Sequence, residues 1–212
     1  MRDIILKLKK EIKHRFKSDI SHGFDHTERV YNTALGLAKN KKVDLDVVEI
    51  SALLHDIARN KEERNSKICH AKEGAKMAQQ ILKKYHLSKE KVTNIAHCIE
   101  THRYSKKLTP KTIEAQIIQD ADRLDAIGAI SIARVFAYSG KTKMPFHNAS
   151  IKPKKVYLGE ASETSINHFF EKILKIKPNN FNTKKAKGIA KERYRFTKNF
   201  VDRFLKEWNG KI

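Results

Sequence analysis

Apolar residues recur at spacings of three and four along most of this 212-residue chain, the pattern of helices that bury one face. An early example is the series Ile4, Ile5, Leu8, Ile12 and Phe16. Glycine and proline number only 8 and 4, which favours long helices over turn-rich β structure. The sequence therefore predicts an all-α protein.

The spacing also predicts where the helices lie. They are expected at about 2–17, 24–39, 45–58, 69–85, 88–103, 110–125, 126–138, 161–176 and 183–208. Asp44 or Asp46 is expected to cap the third helix and Ser88 the fifth, with Pro110 in a first turn. Residues 59–68 read as a polar loop and 140–158 as an ordered loop. No internal repeat or low-complexity linker interrupts the chain, so one domain is predicted over 1–212.

The charge is strongly positive, because 45 Lys and Arg residues stand against 24 Asp and Glu, giving +21. Such a field attracts polyanions, so a nucleotide or nucleic-acid partner is one interpretation. A lysine-rich proteome, as in a heat-adapted or AT-rich source, explains the same charge without a functional role. Helix-surface lysines such as Lys39, Lys41 and Lys83 lack interleaved aromatic residues, which argues against a single-strand-binding platform.

Cys69 and Cys98 form no CxxC pair, which argues against a structural zinc ribbon. No signal peptide is visible, and no apolar run approaches the roughly 20 residues needed to span a bilayer. A reduced, cytoplasmic location without membrane association is therefore expected. The sequence makes no prediction about the oligomeric state.

His55 and Asp56 end the most apolar predicted helix, where burying an imidazole and a carboxylate is costly unless a cation neutralises them. His26 lies 29 residues before His55, and Asp122 lies 66 residues after Asp56, each near the end of a predicted helix. Mixed His and Asp ligation suits first-row metals. Taken singly these residues are weak signals, since a buried histidine is more often hydrogen-bonded in a core and Asp122 could pair with an arginine.

The ordered set resembles the H…HD…D signature of the HD-superfamily phosphohydrolases, in their stand-alone, single-domain branch. The matching segments are His26, Leu53–Ile57, Asp120–Asp125, the opening motif Ser21–Val30, and the later blocks Asp125–Ile130 and Thr164–Lys172. The resemblance covers roughly residues 20–208. It implies an all-α HD-type bundle, with a motif core over 20–130 and a C-terminal helical extension over 160–209.

The resemblance further implies a divalent metal held by His26, His55, Asp56 and Asp122. Asp122 is preferred over Asp120 and Asp125 because it follows Ala121 in the position that the motif gives its ligand. The metal is expected to be Mn, Fe, Co, Mg, Ni or Zn.

Two further histidines, His70 and His102, resemble the extra ligands of two-metal branches, in which the Asp of the pair bridges. The alternative is that they line a cleft around one metal and bind phosphate or move protons. His97 lies five residues before His102, roughly 140° around a helix, so His102 is favoured over it.

The expected reaction is hydrolysis of a phosphate ester or anhydride, commonly in a nucleotide, by a water whose pKa the metal lowers. Asp56 or Asp125 is expected to accept the proton. The phosphate oxygens are expected to contact Arg59, Lys61 and His22. Each of these three could instead be a solvated loop or cap residue. Arg59 and Asn60 replace the acidic residues that follow the His-Asp pair in alarmone hydrolases, which argues against that activity.

The same residues are compatible with two other functions. One is a non-catalytic nucleotide or RNA-binding protein of the same fold, and the other is an HD-type oxygenase that uses two irons.

Overall fold

The structure, a computed structural model, describes residues 2–15, 23–106, 108–157 and 161–212. These residues form α-helices and short 3-10 helices and contain no strand, so the all-α prediction is confirmed. The chain divides into two compact units, a first over 1–122 and a second over 123–212. The expectation of a single domain remains a prediction.

The first unit is built from α-helices joined by short segments. They are α1 (Arg2–Lys13), α2 (Phe24–Ala38), α3 (Leu45–Leu54), α4 (Arg59–Arg64), α5 (His70–Leu82), α6 (Lys89–Thr101) and α7 (Ile113–Asp125). Helix α7 crosses the boundary between the units. Short 3-10 helices cover Lys83–Tyr85 and Tyr104–Lys106.

The second unit contains three further α-helices: α8 (Ala129–Thr142), α9 (Ser165–Glu171) and α10 (Lys184–Trp208). Short 3-10 helices cover Ile173–Lys175 and Pro178–Asn180. It contains an aromatic cluster, in which the ring of Phe136 lies 5.2–6.2 Å from the rings of Phe146, Phe169, Phe200 and Phe204. Phe169 is the fully buried member of this cluster, and Phe146 is half-exposed.

Most helices lie where the apolar spacing predicts them, but their bounds differ. Helix α3 ends at Leu54 rather than near 58, and α8 runs to Thr142, into the segment predicted as an ordered loop over 140–158. The segment predicted as a polar loop contains α4, a six-residue helix with no buried residue. Pro110 lies outside α7, which begins at Ile113. The Thr112 hydroxyl caps this helix by accepting from the Ala115 N–H at 3.2 Å. The helix predicted over 161–176 is shorter, because α9 ends at Glu171 and a 3-10 turn follows.

Helices α3, α6 and α7 start at a shared set of polar contacts, which we call the polar brace. The Asp44 side chain caps α3 by accepting from the N–H groups of Asp46 and Val47 at 3.1 and 3.3 Å. Lys91 on α6 pairs with Asp44 at 3.2 Å, and the Asp44 N–H donates to Glu114 on α7 at 2.9 Å. Three helices are thereby aligned at the ends where they begin.

Helix α3 is buried around nearly its whole circumference, as its apolar composition predicts. All residues from Ile50 to Ala58 are buried, including both members of the His55-Asp56 pair. The pair therefore lies at the end of a core helix rather than on a surface. In the described part of the chain, no helix has the length and apolarity needed to cross a membrane.

Candidate metal centre

His55 follows the last residue of α3, and its own helix fixes its ring. The Nδ1–H donates to the Ala52 carbonyl at 2.8 Å, one turn earlier. Because a carbonyl can only accept, the hydrogen of the neutral ring lies on Nδ1 and the lone pair on Nε2 points away from the helix. The ring is fully buried.

His102 repeats this arrangement at the end of α6. Its Nδ1–H donates to the Ile99 carbonyl at 2.6 Å, again three residues earlier. The helix thus satisfies one of its terminal carbonyls and presents a second Nε2 lone pair. The two rings lie 5.1 Å apart, centroid to centroid.

His26 and Asp122 meet His55 from two other helices. His26 lies in the first turn of α2, and its Nε2 is 3.2 Å from His55 Nε2. Asp122, in α7, places Oδ1 3.4 Å from the same His26 nitrogen. The structure therefore brings together all four residues that the resemblance implies as ligands.

Asp56 lies between two pairs of histidines. Its Oδ2 is 3.7 Å from His26 Nε2 and 3.8 Å from His55 Nε2. Its Oδ1 is 3.3 Å from His70 Nε2 and 3.6 Å from His102 Nε2. We call the set of His26, His55 and Asp56 Oδ2, with Asp122 beside it, the first half-site, and the set of His70, His102 and Asp56 Oδ1 the second half-site.

The electrostatics of the cluster favour a bound positive charge. Burial alone raises the pKa of Asp56, but His55, His102, His70 and Arg59 outweigh it and hold that pKa well below its usual range. The pKa of Asp122 is also lowered, mainly by its hydrogen bond to His26 acting against burial. Burial lowers the pKa of His55 to about 4. At neutral pH the cluster thus combines two carboxylates with a neutral His55.

The second half-site provides the clearest test of whether these residues fit a metal ion. His70 Nδ1 is 2.5 Å from Glu62 Oε2, and His102 Nδ1 bonds a carbonyl, so both Nε2 atoms carry lone pairs. These nitrogens face each other at 3.3 Å, with Asp56 Oδ1 beside them. With both rings neutral no hydrogen lies between these three buried acceptors, so they repel unless a positive charge joins them. The same demand appears at His102, whose pKa Asp56 and Asp122 raise against the effect of burial. This mixed nitrogen and oxygen donor set fits a divalent first-row metal.

Glu62 is the site residue that the sequence interpretation missed. It accepts at Oε1 from Arg103 and approaches Arg59 Nη1 at 3.3 Å with Oε2, the oxygen that contacts His70. Its ion pairs and His70 lower the pKa of Glu62 to about 2, against the effect of burial. The sequence signal for this residue is the i, i+3 spacing of Arg59 and Glu62, which predicts an ion pair on a short helix. The absence of apolar residues in that stretch hides the helix.

The other residues predicted to act in the site differ in how close they lie to the half-sites. Arg59 lies beside the cluster, with Nη1 3.1 Å from His70 Nδ1, whereas Lys61 is half-exposed and pairs with Glu73 at 2.7 Å. Asp125 belongs to the second unit, where its carboxylate pairs with Arg134 at 2.7 Å. The predicted role of His22 falls outside the residues that the structure describes.

His97 belongs to neither half-site. His97 Nε2 accepts the Lys111 N–H at 2.9 Å, whereas His102 Nε2 lies 3.3 Å from His70 Nε2, so His102 is the histidine that joins the cluster. Cys69 and Cys98 are not joined in a disulfide.

Comparison with known proteins identifies related sequences. The family model described as HD domain matches residues 23–127. The uncharacterised protein YpgQ of Bacillus subtilis is 33% identical over 193 residues, which cover 89% of this chain and 85% of YpgQ.

Two solved structures are similar over nearly the whole chain. An HD-superfamily hydrolase from Bacillus thuringiensis superposes with a TM-score of 0.76 at 34% identity and covers 98% of both chains. The crystal structure of Bacillus subtilis YpgQ in complex with ADP gives a TM-score of 0.70 at 27% identity over 96% of this chain and 93% of that one. On sequence, fold and the arrangement of its His and Asp residues, this chain belongs to the HD domain family.

Proposed function

We propose that this protein hydrolyses a phosphate ester or anhydride bond in a nucleotide, using divalent cations held in the two half-sites. The observation that carries the proposal is the position of Asp56, whose two oxygens each face a separate pair of histidines at 3.3–3.8 Å. A carboxylate in that position can bridge two cations, which favours a dinuclear centre over a single metal.

The ligands of the first half-site would be His26, His55, Asp56 and Asp122, and those of the second His70, His102 and Asp56. When bound, such cations lower the pKa of a water nucleophile and offset charge on the attacking and leaving oxygens. Asp122 is the more exposed carboxylate, with 24% of its side chain accessible against 5% for Asp56. It is therefore better placed than Asp56 to pass a proton to solvent.

Two guanidinium groups beside the second half-site would bind the phosphate. Arg59 and Arg103 both contact Glu62, and their side chains are 25% and 21% exposed. Two positive charges against one carboxylate leave a local excess that attracts phosphoryl oxygens. Arg59 thus keeps the phosphate-binding role expected from the sequence, and Arg103 joins it.

A nucleotide substrate is supported by two observations. The related YpgQ of Bacillus subtilis was crystallised in complex with ADP, and this chain carries a net charge of +21. A non-catalytic binder has no need for a buried cluster of this kind, since burying the Asp56 carboxylate among imidazoles costs folding free energy that a bound metal offsets.

The test combines metal analysis with a substrate panel. The purified protein should bind about two equivalents of Mn²⁺, Co²⁺ or Fe²⁺ and release phosphate or pyrophosphate from at least one of a set of nucleoside mono-, di- and triphosphates. A di-iron absorption spectrum without phosphate release from any nucleotide would favour the oxygenase instead. Salt-sensitive RNA binding without turnover would favour the non-catalytic binder.

A further inference from the structure

Within the half-sites, His55, His102 and His70 differ in how Nδ1 is held. His55 and His102 donate to backbone carbonyls, which no side-chain substitution can remove. His70 depends on side chains, because its Nδ1 lies 2.5 Å from Glu62 Oε2 and 3.1 Å from Arg59 Nη1. The second half-site therefore has one ligand whose orientation rests on two neighbouring residues.

The contacts with Glu62 and with Arg59 require opposite tautomers of the neutral His70 ring. A carboxylate can only accept, so contact with Glu62 requires the hydrogen on Nδ1 and leaves a lone pair on Nε2. A guanidinium can only donate, so a bond from Arg59 requires the lone pair on Nδ1 and moves the hydrogen to Nε2. A ring with Nε2–H directed at His102 and Asp56 cannot ligate a metal.

Two further contacts of Glu62 favour its interaction with His70 Nδ1 over that of Arg59. Its other oxygen accepts from Arg103, which orients the carboxylate, and its Oε2 is also 3.3 Å from Arg59 Nη1. Arg59 and Glu62 lie one turn apart on α4, so the carboxylate engages the guanidinium that would otherwise donate to His70.

We propose that Glu62 and Arg59 form a tautomer selector for His70, in which Glu62 keeps the second half-site able to bind a cation and Arg59 opposes it. Glu62 is thus a positioning residue, acting through His70. The inference rests on the proposed metal-dependent function and adds which residues outside the ligand set control it.

Four variants test the selector: Glu62→Ala, Arg59→Ala, the double variant, and Glu63→Ala as a control on the same short helix. Glu63 is exposed and one residue away. Each metal-free protein is examined by ¹⁵N NMR of the imidazole nitrogens, which distinguishes Nδ1–H from Nε2–H. Each is also titrated with Co²⁺ or Mn²⁺ by calorimetry, so that the readout does not depend on turnover.

In Glu62→Ala we expect His70 to switch to the Nε2–H form and one cation of two to bind about 10–100-fold more weakly. Arg59→Ala should keep Nδ1–H and both cations. The double variant should recover part of the lost affinity, because the competing donor is gone, and Glu63→Ala should match the unsubstituted protein. Recovery on removing a second residue is not expected if Glu62 merely supports the fold.

The outcomes separate this inference from the function on which it rests. Binding of both cations to Glu62→Ala with unchanged affinity, or an unchanged tautomer, would overturn the selector and leave the proposed function standing. A double variant as weak as Glu62→Ala would remove Arg59 from the selector. An unsubstituted protein that binds no cation would overturn the proposed function itself.

Discussion

The first unit buries ionisable groups around Asp56, whereas the second packs aromatic rings around Phe136. The second unit also buries a carboxylate, Glu171, but that group accepts from the Ser162 hydroxyl at 2.5 Å and the Lys154 N–H at 2.8 Å. In the first unit Asp56 and Asp122 lie instead among the imidazoles of the half-sites, and the hydrogen-bond donors that reach them are ring nitrogens of that same cluster. A buried charge thus indicates function only where the surrounding protein leaves its demand for positive charge unmet.

The largest expected effect comes from changing Asp56, the residue shared by both half-sites. Asp56→Asn should remove both bound cations and lower turnover by about 1,000-fold or more, because one carboxylate serves two sets of ligands. Metal content by elemental analysis and nucleotide hydrolysis measure the two losses. Asp25→Asn, an exposed carboxylate on the same helix as His26, is the control. Full metal content in Asp56→Asn would refute the ligand assignment.

The aromatic cluster of the second unit should matter for stability through its buried member, Phe169. Phe169 is fully buried, so Phe169→Ala should lower the free energy of unfolding by about 3–5 kcal/mol through lost burial and a cavity. Phe196 on α10 is 54% exposed, and its replacement by alanine should cost less than about 1 kcal/mol. Urea unfolding followed by circular dichroism compares them. Equal losses would show that the rings around Phe136 do not act as a core.

A smaller, pH-dependent effect is expected from His168 in the second unit. Burial first, and then the charge of Lys172, lower its pKa to about 3. Above about pH 6.5 the ring is neutral in both the folded and the unfolded chain, so it contributes nothing to pH dependence. As the pH falls below that value the unfolded chain gains a proton that the folded chain does not, so stability decreases until about pH 3.

From pH 7 to pH 5 the unsubstituted protein should therefore lose about 2 kcal/mol more than His168→Gln. Thermal or urea unfolding of both proteins at the two pH values measures this difference. Parallel stability curves for the two proteins would mean that His168 is accessible to protons in the folded state.

The smallest effect is expected at Lys61, where sequence and structure suggest different roles. Its ammonium pairs with Glu73 and its side chain is 48% exposed, so Lys61→Ala should change kcat/KM less than about threefold. Arg59→Ala should lower kcat/KM by about 10–100-fold with metal content retained. A tenfold or greater loss in Lys61→Ala would restore the phosphate-binding role predicted from the sequence.

The sequence predicts most of the fold because long helices with a buried face leave a periodic pattern, as α2, α6 and α10 do. It cannot predict α4, because all residues of this helix are polar and leave no apolar pattern. The contacts of Glu62 in α4 are with His70 and Arg103, which lie far along the chain. The histidines and aspartates of the half-sites could be identified in order, but the two-sided position of Asp56 depends on where four helices meet. Likewise the ion pair of Asp125 with Arg134 is visible only in three dimensions.

The polar brace has a consequence for how this chain can change in length. Helices α3, α6 and α7 start at the brace and present His55, His102 and Asp122 at or near their far ends. One residue inserted between a helix start and its terminal side chain would turn that side chain by about 100° and advance it about 1.5 Å. Working relatives should therefore keep these three intervals at constant length, while insertions accumulate in the segments that join the helices.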